Sequence, residues 1–167
     1  MDESSRLKGA NGAHREGKYL TFCLADEDYG IGILKVKEII GMMPVTTVPG
    51  TPGFVKGVIN LRGKVIPVLD LRIRFAIEET ASTERTCIIV VETRNQTGSV
   101  LIGLVVDSVS EVVNIKGTDI EDTPTFGATL NTDYILGMAK MQGSVKILLD
   151  IDRVLGADDL AQLEKAA

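Results

Sequence analysis

An internal repeat constrains the fold of this chain more than any other feature of its sequence. The segment Gly57–Phe75 (GVINLRGKVIPVLDLRIRF) aligns without a gap with Gly137–Leu155 (GMAKMQGSVKILLDIDRVL), 80 residues further on. Five positions keep the same residue type, and in the first copy they are Gly57, Gly63, Val65, Leu69 and Asp70. Self-similarity at a fixed offset is the signature of duplicated structural units. The sequence therefore predicts two similar subdomains that pack together.

Each copy of the repeat has the pattern of a hairpin that is followed by a short helix. Gly63 and Gly143 stand where a tight turn needs a positive φ, which glycine adopts without steric cost. Asp70 precedes LRIRF and Asp152 precedes RVL, and each predicts a helical turn with an aspartate cap. Upstream, Val36–Ile40 resembles Val109–Val113.

Short strands are predicted over most of the remaining chain, because apolar and β-branched residues alternate between Gly, Pro and Asn turns. This pattern is typical of small barrels or a sandwich. A short helix is predicted at Leu34–Ile40. The predicted strands are Tyr19–Leu24, Tyr29–Ile33, Val45–Val48, Gly57–Leu61, Lys64–Leu69, Cys87–Glu92, Val100–Val106, Val109–Ile115, Ile135–Met141 and Val145–Leu149.

The predicted organisation is a single domain at 18–155, with one subdomain at about 18–76 and the other at about 85–155. A polar start predicts a disordered tail at 1–17, and an amphipathic pattern predicts a C-terminal helix at 156–167. Aromatic residues make up 4% of the chain and tryptophan is absent, so the core must depend on Val, Ile and Leu.

Charge and hydropathy argue against several classes of function. Eighteen basic residues lie scattered among 23 acidic ones, which does not fit a nucleic-acid-binding surface. The aliphatic runs are too short to span a membrane and no secretory signal is recognisable, so we expect a cytoplasmic protein without membrane insertion. Cys23 and Cys87 lie in apolar runs, which predicts two buried, reduced thiols.

The sequence offers no candidate catalytic residue. The one histidine, His14, lies in the predicted tail, and no serine or cysteine has a credible histidine partner. Phosphate-binding loops and metal-ligand spacings are absent as well, so no metal or cofactor is predicted. These observations favour a binding module over an enzyme. A small-molecule-binding β-barrel and an unrecognised hydrolase are the alternatives.

Differences between the two repeat copies point to positions that the fold does not require. Arg62 aligns with Gln142, and Glu38 is the natural charge partner of Arg62. The pair is either a weak surface ion pair or part of a recognition surface. Val36 and Ile39 either pack the predicted helix on the barrel or stay partly exposed for a partner helix.

The stretch YGIGILKVKEII…VTTVPGTPGFVKGVINLRGKVIPVLDLRIRF resembles the chemotaxis coupling proteins of the CheW family, and the likeness covers roughly Lys18 to Leu155. The resemblance implies a mostly β fold of two similar SH3-like five-stranded β-barrel subdomains. It also implies a non-catalytic adaptor that couples the cytoplasmic tip of chemoreceptors to the regulatory domain of the histidine kinase CheA. Such an adaptor is cytoplasmic and is recruited to membrane-associated receptor arrays.

The same resemblance implies two sets of contact residues. Those expected to bind the receptor are Val36, Glu38, Arg62, Gly103, Val109 and Val112. Those expected to bind the kinase are Ile39, Met43, Pro44, Gly57 and Phe126.

Overall fold

The computed structural model describes residues 15–77, 82–95, 98–124 and 132–154. Phe126, the predicted C-terminal helix and residues 1–14 of the predicted tail lie outside these ranges. Two 3₁₀ turns occur, at Ile33–Lys35 and Gly117–Asp119. The strands and helices are β1 (Gly17–Leu24), β2 (Glu27–Gly32), β3 (Val36–Gly41), β4 (Val55–Leu61), β5 (Lys64–Asp70), α1 (Leu71–Arg74), β6 (Cys87–Asn95), β7 (Gly98–Val106), β8 (Ser108–Ile115), β9 (Ile120–Glu121), β10 (Ile135–Met141), β11 (Ser144–Leu149) and α2 (Ile151–Val154).

The strands form two sheets with the same plan. The orders are β8-β1-β2-β11-β10-β9 and β3-β6-β7-β5-β4. In each sheet an antiparallel hairpin, β1–β2 or β6–β7, joins a copy of the repeated hairpin through one parallel pairing, β2 with β11 or β7 with β5. The prediction of a mostly β fold with two similar subdomains is confirmed.

Each sheet takes strands from both halves of the sequence, which the predicted boundaries at 18–76 and 85–155 did not anticipate. The hairpin β1–β2 belongs to the sheet of β8–β11, and β6–β7 belongs to the sheet of β3–β5. The chain crosses between sheets at Ile33–Lys35 and again at Asp107. The first hairpin of each repeat unit, which we call its leading hairpin, therefore pairs in the sheet that holds the rest of the other unit. The offset between two repeats in the sequence carries no information about such non-local pairing.

The repeated hairpins have the same turn geometry. Gly63 and Gly143 have φ of 85° and 80°, which confirms the predicted left-handed glycines. Arg62 and Gln142 are also left-handed, at 51° and 50°. Two consecutive left-handed residues are the hallmark of the type I′ turn that closes two-residue hairpins.

The helix predicted at Leu34–Ile40 is wrong. Residues Ile33–Lys35 form one 3₁₀ turn and the rest is strand β3, whose residues Val36 to Gly41 pair with β6. The β-branched residues Val36, Ile39 and Ile40 favour a strand, and the neighbouring sheet supplies its hydrogen-bond partners.

Two further predictions need correction. Asp70 caps α1 as expected, since its carboxylate accepts the Arg72 N–H at 3.0 Å. The cap of α2 is Asp150, which accepts the Asp152 N–H at 3.1 Å, so Asp152 itself lies inside the helix. The strand predicted at Val45–Val48 is reduced to a single bridge between Thr46 and Val58.

The described residues form three hydrophobic cores, and one of them joins the two sheets. Ile88 and Val90 of β6 face a core within the first subdomain (the five-stranded sheet), while Ile89 and Val91 face a core shared by both subdomains. The second subdomain (the six-stranded sheet) has its own core of Tyr19, Ile115, Ile120, Ala139 and Leu148. Strand alternation thus buries both faces of β6, and each buried aliphatic side chain contributes about 1.5–3 kcal/mol.

Candidate functional site

Arg62 and Glu38 form an ion pair at the surface of the first subdomain. Arg62 donates two hydrogen bonds to the Glu38 carboxylate, from Nη2 to Oε1 and, at 3.3 Å, from Nη1 to Oε2. The Arg62 side chain is 70% exposed and that of Glu38 is 31% exposed. The hydrogen bond to Glu38, together with its negative charge, raises the pKa of Arg62 above its usual value. The predicted charge partner is confirmed.

A side chain of the β4–β5 hairpin itself stabilises the turn that carries Arg62. Asn60 Oδ1 accepts the Gly63 N–H at 2.8 Å across the tip of the β4–β5 hairpin. At the equivalent position the second hairpin has Lys140, whose ammonium instead pairs with Glu121 at 2.8 Å. The two hairpins therefore have the same backbone conformation but carry different charged side chains.

Strand β3 presents different residues on its two faces. Glu38 and Ile39 are consecutive, so their side chains point to opposite sides of the strand. Ile39 is 45% exposed, whereas Val36 is half-buried against the shared core. Val36 therefore packs against the shared core while part of its surface stays exposed, and Ile39 is the more exposed of the two.

Gly57 supports a neighbouring segment and is itself buried. A Cβ at Gly57 would lie 2.0 Å from the Thr46 carbonyl oxygen, and its φ is 146°. Pro44, two residues before Thr46, is exposed. Met43 packs against the core of the first subdomain. Any contribution of Gly57 to binding must therefore act through the segment around Thr46.

The remaining expected receptor contacts differ in accessibility. Gly103 is buried between Val68 and Val90 in the middle of its sheet, where a Cβ would meet a neighbouring side chain at 2.8 Å. It cannot contact a partner directly. Val109 is half-buried against the shared core, and Val112 on the same strand is 49% exposed.

The structure thus brings together only part of each predicted set. Glu38 joins Arg62 in the first subdomain, and Met43 and Gly57 flank the Thr46 segment. Val109 and Val112 lie on β8 in the other sheet. Because β3 and β8 occupy equivalent edge positions, their exposed residues form two related strips.

Sequence reasoning missed the ion pairs at the points where the chain crosses between sheets. Lys35 Nζ lies 2.7 Å from Asp152 Oδ2 at one crossing, and Arg72 Nη1 donates to Asp107 Oδ1 at 3.0 Å at the other. The repeat contained a signal, because Arg72 aligns with Asp152 and the charge changes sign at this one position.

The described residues contain no cluster of histidine, cysteine and carboxylate side chains that could hold a metal ion. A surface groove of about 540 Å³ lies at the first crossing, with Tyr19, Ile33 and Ile151 among its lining residues. Both cysteines are free and half-buried, which is more exposed than the sequence predicted. Burial raises the pKa of the Cys87 thiol. Within the described ranges no helix is long and apolar enough to cross a membrane.

The fold and the site define a class of protein: a double β-subdomain module whose distinctive residues lie on exposed strand edges. Comparison with known proteins identifies the family. The model of the CheW-like domain matches residues 18–159. The chain therefore belongs to the CheW-like family of chemotaxis adaptor proteins.

Individual relatives agree with this assignment. The chain is 39% identical over 150 residues to the chemotaxis protein CheW of Klebsiella aerogenes, covering 90% of this chain and 88% of the relative. It is 33% identical to CheW of Bacillus subtilis, with 83% and 86% covered. The crystal structure of the scaffolding protein TtCheW from Thermoanaerobacter tengcongensis matches with a TM-score of 0.75 and 36% identity, over 86% of this chain and 95% of that one.

Proposed function

We propose that this chain is a non-catalytic, cytoplasmic adaptor that holds chemoreceptor tips and the regulatory domain of the kinase CheA in a fixed relation within membrane-associated arrays. A conformational bias in the receptor then changes kinase activity by shifting populations. Individual contacts need only moderate affinity, since array multivalency raises the effective concentration. A small-molecule-binding barrel is not favoured, because apolar side chains fill the cores of both subdomains.

The observation that carries this proposal is the Arg62–Glu38 pair. The duplicated framework needs no arginine at this turn, since Gln142 adopts the same backbone conformation. A bidentate arginine–carboxylate pair has a defined orientation, which suits a recognition surface. We therefore assign Glu38 and Arg62, together with Val36, Val109 and Val112, to receptor binding.

The kinase surface in this proposal begins at Ile39, on the face of β3 opposite Glu38, and continues into the segment that follows the strand. It contains the exposed Ile39 and Pro44, with Met43 and Gly57 supporting the segment behind them. Phe126 belongs to the same proposal as a second contact. Since Glu38 and Ile39 point in opposite directions, one strand can serve two partners simultaneously.

The test is Arg62→Gln, which introduces the residue of the sibling turn. We expect an unchanged circular dichroism spectrum and about tenfold weaker capture of a receptor cytoplasmic fragment. Gln142→Ala is the matched control and should capture receptor like the natural chain. Unchanged receptor capture by a folded Arg62→Gln variant would argue against the recognition role of this surface.

A further inference from the structure

Both crossings between the sheets are fastened by ion pairs, which we call crossover clamps. The first clamp joins Lys35, which ends the β2–β3 crossing, to Asp152 of α2 at 2.7 Å. The second joins Asp107, at the β7–β8 crossing, to Arg72 of α1 at 3.0 Å. Each clamp thus ties a crossing to the short helix that follows a repeated hairpin.

The two clamps are structural equivalents with reversed charges. Arg72 and Asp152 occupy the same repeat position, 80 residues apart. In both clamps the carboxylate also accepts a backbone N–H from a leading hairpin: Asp107 Oδ2 accepts Ala25 N–H at 2.8 Å, and Asp152 Oδ1 accepts Arg94 N–H at 3.0 Å. Each clamp therefore connects the same three parts of the fold.

The clamps differ in their exposure to water. In the second clamp the Arg72 and Asp107 side chains are 1% and 25% exposed. In the first clamp the Lys35 and Asp152 side chains are 36% and 33% exposed. A half-exposed pair contributes little to stability and is weakened by salt, whereas breaking a buried pair leaves an uncompensated charge. Breaking the first clamp consequently costs less free energy than breaking the second.

Opening of the first clamp would act on the beginning of β3. Val36 directly follows Lys35, and its N–H is bonded to the Ile33 carbonyl of the 3₁₀ turn. Val36 pairs with Val91 of β6, and a β-bulge then separates it from the continuous pairing of Glu38 to Gly41 with the same strand. A change at the crossing therefore moves Val36 before it reaches Glu38 and the rest of the strand beyond the bulge.

We propose that Lys35 and Asp152 are positioning residues, which set the entry of β3 and thereby the position of Val36 within the proposed receptor surface. This inference rests on the adaptor function proposed above. It assigns the first clamp a selective effect on one partner: receptor capture depends on the clamp and on ionic strength, while kinase capture through Ile39 and Pro44 does not.

A double-mutant cycle with Lys35→Met and Asp152→Asn tests this role. The asparagine keeps an acceptor for the Arg94 N–H, so only the charge is lost. At low salt each single variant should capture a receptor fragment about two- to fivefold more weakly. The double variant should be no weaker than the singles, and the difference should vanish at high salt. Capture of the kinase regulatory domain should stay unchanged throughout.

Hydrogen exchange at the Val36 amide gives a readout independent of binding, and it should accelerate in both single variants. Lys140→Met is the control, because it removes an exposed ion pair with Glu121 away from either crossing. Equal receptor capture by all variants, or additive losses in the double variant, would overturn the clamp proposal. A natural chain that captures no receptor fragment at any salt concentration would instead refute the adaptor function itself.

Discussion

Gly57→Ala is the substitution whose effect follows most directly from the structure. The new Cβ would lie 2.0 Å from the Thr46 oxygen, so Thr46 must move by about 1.4 Å to reach an ordinary contact of 3.4 Å. This movement breaks both hydrogen bonds between Thr46 and Val58, each 2.9 Å long. Their loss costs about 1–3 kcal/mol, and a non-glycine residue at φ 146° costs about 1–3 kcal/mol more. We expect the free energy of unfolding to fall by about 2–6 kcal/mol.

Urea denaturation followed by circular dichroism measures this loss, and capture of the kinase regulatory domain measures its functional consequence. Displacement of Thr46 should shift the exposed Pro44, so kinase capture should weaken while receptor capture persists. Gly53→Ala is the control, because a Cβ there meets no atom within 4 Å. If Gly57→Ala unfolded at the same urea concentration as Gly53→Ala, the close approach of Thr46 would not constrain the fold.

Three further substitutions test other parts of the structure. Arg72→Met leaves the buried carboxylate of Asp70 without its main partner, so unfolding in urea should become about 3–5 kcal/mol easier; an unchanged midpoint would contradict the buried network. Thr93→Val replaces a buried hydroxyl that has no hydrogen-bond partner, and the same assay should show about 1 kcal/mol of added stability, whereas a loss would reveal a partner for that hydroxyl. Lys146→Met removes the hydrogen bond that holds the pKa of Asp28 below its usual value. The stability difference from the natural chain should be constant above about pH 5 and shrink as the pH falls through the lowered pKa, and a difference that grew in acid would contradict this assignment.

Sequence reasoning predicted the local features of the duplicated hairpins well. The glycines of both turns, the Asp70 cap and the Arg62–Glu38 pair follow from residue chemistry within one repeat unit. Local patterns failed where the partner strand decides the outcome. Residues 34–40 match a helical period, yet β6 draws most of them into a strand. Repeat offsets likewise cannot reveal that the leading hairpins are exchanged between the sheets.

The functional residues also differed in how well the sequence predicted them, because some depend on neighbours that are distant in the sequence. Exposure of Ile39 and Val112 depends on strand alternation, which a helical assignment obscured for Ile39. Gly57 and Gly103 are buried, and their constraint comes from backbone and side chains that are distant in sequence. The crossover clamp of Lys35 and Asp152 joins residues 117 positions apart, so only the folded chain brings them together.

Simultaneous binding is the most direct test of the adaptor account. Light scattering coupled to size exclusion would measure the mass of the complex formed by the chain with a receptor cytoplasmic fragment and the CheA regulatory domain. Because Glu38 and Ile39 lie on opposite faces of β3, we expect one complex that contains all three components. Arg62→Gln should remove only the receptor fragment from this complex. Mutually exclusive binding, in which either partner displaces the other, would contradict two separate docking faces.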